Sequence, residues 1–410
     1  DHNTAVGHDA LEQVSTGSYN TAIGRDAGRN ITTGSNNVCL GPNAGDATNT
    51  NYVIAIGSFA ASSCSADGTV AIGHYAARSL TTGTKTTAVG YYALDANTTG
   101  QNNTALGYEA LKTITTDGHH NTAIGAEVLR SATSARSNTG VGDGVMRTLT
   151  TGDQNVVMGH NAMYNATTAT QNVVIGGGQV GSNVAAGFNM TTGGLNVLIG
   201  AKAGTGSVAA ERNVAIGFNA MEENTASSRN VVIGAYAGDY LGVSDGDGVD
   251  NVIIGDSAAT NGGGNMKNNI CIGSSSGTDS VFAFGNNDNH RIVIGNNNNT
   301  NAYIKIDWTI TSDKRDKIED GTVSHGLDFV NQLIPRSFWF RKDRDSDEKT
   351  GQKRYGFFAQ DILELEGSDN VIIDNDDPEN LKYKGEHLVP ILVNAIKELT
   401  ARVKELESRQ

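Results

Sequence analysis

Short apolar runs recur along the first two thirds of the chain at nearly constant spacing. Asn3-Thr4-Ala5-Val6-Gly7 returns as Asn20-Thr21-Ala22-Ile23-Gly24, Asn103-Thr104-Ala105-Leu106-Gly107 and Asn121-Thr122-Ala123-Ile124-Gly125. Later copies are more apolar: Asn172-Val173-Val174-Ile175-Gly176, Asn213-Val214-Ala215-Ile216-Gly217 and Asn230-Val231-Val232-Ile233-Gly234. The closing glycines step by 16 to 18 residues from Gly7 to Gly273, except for steps of 24 (Gly176 to Gly200) and 21 (Gly234 to Gly255). Each run is short and rich in β-branched residues, so it reads as a strand. The glycine ends it with a tight turn. Three residues later an alanine recurs, as in Ala10, Ala27, Ala44 and Ala60, which suits a tight inner corner. A polar turn such as Thr32-Thr33-Gly34 follows. One such unit cannot bury its own apolar face, but stacked units can. The pattern therefore predicts a parallel β-solenoid, a β-roll with coils of roughly 17 residues, over residues 1–280. The asparagine four residues before each glycine predicts a ladder of amides, each bonding the next coil.

Successive side chains of a strand point to opposite faces. In Val173-Val174-Ile175 both faces are apolar. One fills the coil interior, and the other needs cover. A stack of coils with an exposed apolar face is a liability in a monomer at roughly 25 cal/mol per Å². An obligate homo-oligomer packed along the solenoid axis is the expectation. The two longer steps predict protruding loops at 177–195 and 235–250. Aromatic residues just after the glycines (Tyr75, Tyr91, Tyr92, Tyr108 and Tyr236) either offer stacking surfaces to a receptor sugar or shield coil edges.

The pattern changes near Val281-Phe282-Ala283-Phe284-Gly285. Residues 281–311 read as a β neck, with an alternating strand at Ala302–Trp308. From Ser312 the composition switches. Only six of the 51 glycines lie in residues 312–410, but three of the four prolines and 16 of the 30 lysines and arginines do. This is an independent α/β domain. It ends in a helix whose Leu392, Ile396, Leu399, Val403 and Leu406 alternate by four and three, a short coiled-coil seam.

The net charge of −14 argues against a nucleic-acid backbone as partner. No apolar run approaches the ~18 residues of a membrane helix, so membrane insertion is not expected. Cys39, Cys64 and Cys271 are odd in number and far apart, which suits buried thiols and excludes a disulfide framework. His119-His120 lacks a third ligand nearby. No metal and no cofactor are expected. The chain does not begin with Met, so an upstream part is expected.

At the junction stands Ser312-Asp313-Lys314-Arg315-Asp316-Lys317. A serine hydroxyl becomes a nucleophile when a base takes its proton, and a lysine serves if burial keeps it neutral. That spacing alone occurs by chance.

Two stretches resemble known families. The Asn-Thr-Ala-Ile-Gly…Ala unit resembles the head repeats of trimeric autotransporter adhesins, which implies parallel β-rolls wound as trimers. Similar repeats occur in bacteriophage tail fibres. Residues 312–410 resemble the self-cleaving intramolecular chaperone domain of phage tailspikes, endosialidases and tail fibres. Ser312-Asp313-x-Arg315-x-Lys317 matches that domain's opening. Leu333-Ile334-Pro335, Gly356-Phe357-Phe358-Ala359-Gln360-Asp361-Ile362, Tyr383 and Leu388–Leu399 follow in the family's order. Asp316 departs from its usual apolar residue. The resemblance implies a cut between Thr311 and Ser312, with Ser312 and Lys317 as the catalytic pair and Asp313, Arg315, Gly356 and Gln360 as supporting motif. It implies a tail fibre or tailspike in the phage virion, assembled as a homotrimer in the host cytoplasm. Such a protein binds a host-surface glycan or protein and meets other tail proteins through its upstream part. A bacterial trimeric surface adhesin and a polysaccharide-degrading tailspike are the alternative readings. For the latter, Glu222-Glu223 and Asp245/Asp247 supply candidate carboxylates.

Overall fold

The computed structural model describes residues 2–409, except 48, 179–183, 243–247, 261–264, 279–282, 286–287, 297, 300–302, 304–311, 342–343, 368–369 and 376–377. It forms two compact units, Asp1–Asn296 and Asn297–Gln410.

The first unit is the expected solenoid. Among the described residues seventeen three-residue strands run from Thr4–Val6 to Ile292–Ile294. Each pairs in parallel with the next, and Thr21, Ala22 and Ile23 lie against Val38, Cys39 and Leu40. The ladder continues through Ile292–Ile294, so the neck sequence holds a further rung.

Alternation within each strand sorts the side chains. The middle residue, such as Ala22, Cys39, Val174 or Ile253, points into the coil and is buried. The flanking residues face outward, and Val6, Ile23, Leu106, Val173 and Ile175 are exposed. At strand spacing of roughly 4.8 Å, seventeen strands make this outward stripe about 77 Å long. The alanine after each glycine is buried from Ala27 onward, as at Ala44, Ala60 and Ala76. All three cysteines are free and buried. Burial pushes the Cys39 thiol up to about 12.

The glycines do more than turn the chain. Gly24 has φ +135°, and a Cβ there would lie 2.7 Å from the carbonyl of Gly41 in the next coil. The close approach of successive backbones excludes any side chain. The predicted asparagine ladder is present. Asn138 accepts at Oδ1 from Asn155 N (3.0 Å) and Asn155 Nδ2 (2.9 Å). Its own Nδ2 donates to Gly152 O (2.8 Å) and to Asn121 Oδ1 (3.2 Å). Val53, Thr69 and Thr86 interrupt the row. There Val53 N still donates to Asn37 Oδ1 (2.9 Å), and Thr86 Oγ1 donates to Gly83 O (3.3 Å). The inserted parts of the two predicted loops, residues 179–183 and 243–247, lie outside the described residues.

The second unit mixes helix and strand. A short helix α1 (Leu327–Val330) precedes an antiparallel hairpin of Arg336–Arg341 and Lys349–Gly356. Helix α2 (Ala359–Glu366), a two-residue strand pair and helix α3 (Leu388–Ser408) follow. Phe329, Ile362, Ile372, Ile373, Leu388 and Ile391 form its core. The buried Glu366 carboxylate accepts from the amides of Val371 (2.8 Å), Ile372 (2.6 Å) and Ile373 (3.0 Å). Helix α3 buries Leu388, Ile391 and Ala395 and exposes Leu392, Ile396, Leu399, Val403 and Leu406, the predicted seam. Of the strand expected at Ala302–Trp308, only Tyr303 is among the described residues.

Candidate functional site

Ser312 and Lys317 meet. Lys317 Nζ donates to Ser312 Oγ at 2.6 Å. The chain between them explains why. Asp313 caps a single 3₁₀ turn, Lys314–Asp316, by accepting from Arg315 N (2.9 Å). Arg315 closes back on the same carboxylate through Nε (3.1 Å) and Nη2 (2.6 Å). Its guanidinium holds the Asp313 carboxyl below the usual carboxylate range. Lys317 then leaves the turn in extended conformation at φ −125°, ψ 142°. On a continuous α-helix, residues five apart point about 140° apart. One tight turn with extended flanks instead turns both side chains to the same side. Asp313 and Arg315 therefore build the turn that presents the pair.

Both members of the pair are exposed in the single chain. Thr311, the residue before the expected cut, lies outside the described residues. Gly356 ends the hairpin, where a Cβ would come within 3.1 Å of the Phe338 ring. Gln360 is exposed in the first turn of α2. Neither is joined to Ser312 or Lys317 by a hydrogen bond among the described residues. His325 stacks on Phe329 with centroids 4.3 Å apart, and its carbonyl accepts from Asn394 Nδ2 (2.9 Å).

Four of the five tyrosines come together on the solenoid. His74, Tyr91 and Tyr108 stack in one row, with the Tyr91 and Tyr108 rings 5.7 Å apart and 2° from parallel. Phe59, Tyr75 and Tyr92 form the adjacent row. Arg78 lies 4.7 Å over the Tyr75 ring and Lys112 4.9 Å over Tyr92. Rings stacked this way spend much of their faces on one another. Tyr91 and Tyr108 are exposed. The Glu109 charge raises the Tyr108 phenol above its usual range. Tyr236 stands apart, in a T-shaped pair with Phe218 at 5.4 Å.

Elsewhere His8, Asp9 and Asp26 gather closely enough to hold a metal. Asp26 is already paired there with Arg25 at 3.0 Å and Arg29 at 3.7 Å. His119 is drawn into the backbone instead, where its Nδ1 accepts from Gln101 N at 3.0 Å.

Sequence reasoning missed the capping role of Asp313 and the buried Glu366. Asp two residues before an arginine is a capping signal, whereas nothing local marks Glu366. No protein-family model matches the chain, and no curated protein is significantly similar to it.

Proposed function

We propose that the chain is the distal part of a phage tail fibre or tailspike. It assembles as a homotrimer and then cuts itself between Thr311 and Ser312. The observation that carries this reading is the 2.6 Å contact between Lys317 Nζ and Ser312 Oγ, in the unit that follows the repeat.

The chemistry runs as an acyl transfer. A neutral Lys317 amine takes the Ser312 Oγ proton, and the alkoxide attacks the Thr311 carbonyl carbon. The proton passes from Lys317 to the Ser312 amide nitrogen, the C–N bond breaks, and an ester on Oγ remains. Water then hydrolyses the ester, leaving a Thr311 carboxylate and a free Ser312 amine. A lysine acts as base only when neutral, and desolvation favours that form. The pair is exposed in one chain; in this reading neighbouring copies supply the burial, and cleavage follows assembly.

Two further features support a trimer. The third, outward position of each strand is apolar along the solenoid, from Val6 to Ile294, and another copy has the matching period. The α3 face from Leu392 to Leu406 is likewise apolar and exposed. The C-terminal unit sets the register of long, self-similar coils, which slip easily by a whole repeat. The solenoid then serves attachment to a host-surface glycan or protein, with the Tyr75–Tyr108 cluster as the contact surface offered. Growth-competition or pull-down assays on host cells with Tyr91→Ala and Tyr108→Ala test that surface. Wild-type binding by both variants would remove it from the proposal.

A further inference from the structure

Helix α3 carries a third face besides its buried side and its exposed apolar seam. Asn394, Glu398 and Arg402 follow one another at intervals of four, so they line one side of the helix. All three turn to one earlier segment, residues 323–328. Asn394 Nδ2 donates to the carbonyls of His325 (2.9 Å) and Val323 (3.4 Å). Glu398 Oε2 accepts from Leu327 N at 2.8 Å. Arg402 Nη2 lies 3.7 Å from Asp328 Oδ1. The first two residues grip backbone groups, so they fix the path of the chain itself. At roughly 100° per residue, the stripe lies about 120° around the helix from the seam. Copies can therefore dock on the seam without displacing it.

The gripped segment is shaped for this clasp. Gly326 precedes α1 and offers it no side-chain cap, and Glu398 supplies the acceptor for the free Leu327 amide. A Cβ on Gly326 would run into the Glu398 carboxylate. The His325 ring stacks on Phe329, which belongs to the core of the unit. Asn394 and Glu398 are themselves half-buried. Only residues 318–322 separate the clasp from Lys317. Six extended steps of chain reach at most about 20 Å, so Lys317 is tethered close to the clasp.

We propose that Asn394 and Glu398 are positioning residues for the Ser312–Lys317 pair. They tie the segment that follows the pair to the assembly helix, so that docking of α3 on its copies brings Lys317 to the surface that buries it. This rests on the self-cleaving trimer proposed above and names the part that links its seam to its chemistry. A lysine left in water keeps its proton, and burial is what favours the neutral base. A loosened tether leaves Lys317 solvated and the hydroxyl misplaced, and small misplacements cost large factors in rate.

The test follows cleavage of the full chain by intact mass between about pH 6 and 10, with the oligomeric state measured by light scattering. Asn394→Asp, nearly isosteric, removes the amide donor. Glu398→Ala removes the acceptor, and Glu398→Gln keeps an oxygen for Leu327 N. Asn394→Asp and Glu398→Ala are expected to form trimers, to cleave at least about tenfold more slowly at neutral pH, and to need higher pH for the rate to rise. Glu398→Gln is expected to keep the wild-type profile. Trimeric variants that cleave with the wild-type rate and profile would overturn the proposal and leave the self-cleavage reading standing. A loss equal at every pH and not rescued in Glu398→Gln, or failure of both variants to form trimers, would make the clasp merely structural and also overturn it. A trimeric wild type that stays whole would overturn the self-cleavage reading and this proposal with it.

Discussion

At the scale of single residues, each coil rests on a few positions that tolerate little change. The closing glycine was legible because its left-handed φ and the next coil's backbone leave room for nothing else. Gly24→Ala is expected to cost several kcal/mol, since both strain and a backbone clash result. Other left-handed positions were not legible, because ordinary residues occupy them. Leu94 (φ 54°), Leu111 (φ 50°) and Lys85 (φ 58°) are examples. Their strain is offset by coil-to-coil hydrogen bonds such as Leu111 N to Val128 O at 3.0 Å. Lys85 is exposed. Lys85→Gly should therefore stabilise the solenoid by about 0.5–1 kcal/mol in denaturant titration.

The ladder gives a graded test at the same scale. Asn138→Ala strands the Gly152 carbonyl and the Asn155 amide, both buried, and should cost about 2–4 kcal/mol. Asn138→Thr should recover little of this, because Thr86 donates to Gly83 three residues earlier in its own coil, and the equivalent Ala135 carbonyl already accepts from Asn121. Asp239, whose carboxyl is pushed up first by burial and then by the charges of Glu222 and Glu223, sets a pH dependence. Its folded value of about 6 lies above its ordinary value of 3.8, so the folded state holds the proton more tightly. Above about pH 6 the charge is present in both states and destabilises the fold. Between about pH 6 and 4 that cost disappears. Asp239→Asn should unfold at higher temperature than wild type at pH 7.5, with the gap closing as pH approaches 4. A gap that widens on acidification would contradict this.

At the scale of elements, strands were the most legible part, because a middle residue turned inward and two turned outward leave a period in the sequence. The seventeenth rung at Ile292–Ile294 was hidden by the irregular sequence before it. The five-residue spacing of Ser312 and Lys317 allowed a turn or a short helix to bring them together, and the structure uses one tight turn. Asp313→Ala should loosen that turn and slow cleavage while leaving the secondary structure unchanged, as followed by gel and circular dichroism. Helix α3 shows both its faces in its sequence, one buried and one exposed. Ile396→Lys, on the exposed face, should lower the oligomeric state measured by light scattering without unfolding the C-terminal unit. A trimer unaffected by this change would rule out the α3 seam as an assembly surface.

At the scale of the whole molecule, the solenoid and the C-terminal unit pose complementary problems. Near-identical coils offer many registers, and non-local pairing of this kind is slow to search. In the proposed reading a compact unit that brings chain ends together shortens the search, and a cut made afterwards prevents its reversal. The sequence carried both halves of this account, because the repeat is periodic and the junction abrupt. It could not show that the Ser312–Lys317 pair stands exposed in one chain. The most direct measurement is intact mass with light scattering on the full chain beside Ser312→Ala and Lys317→Ala. The account predicts that wild type yields fragments 1–311 and 312–410, and that both variants remain uncut trimers. A trimeric wild type that stays whole, or a Lys317→Ala chain cut at the wild-type rate, would contradict it.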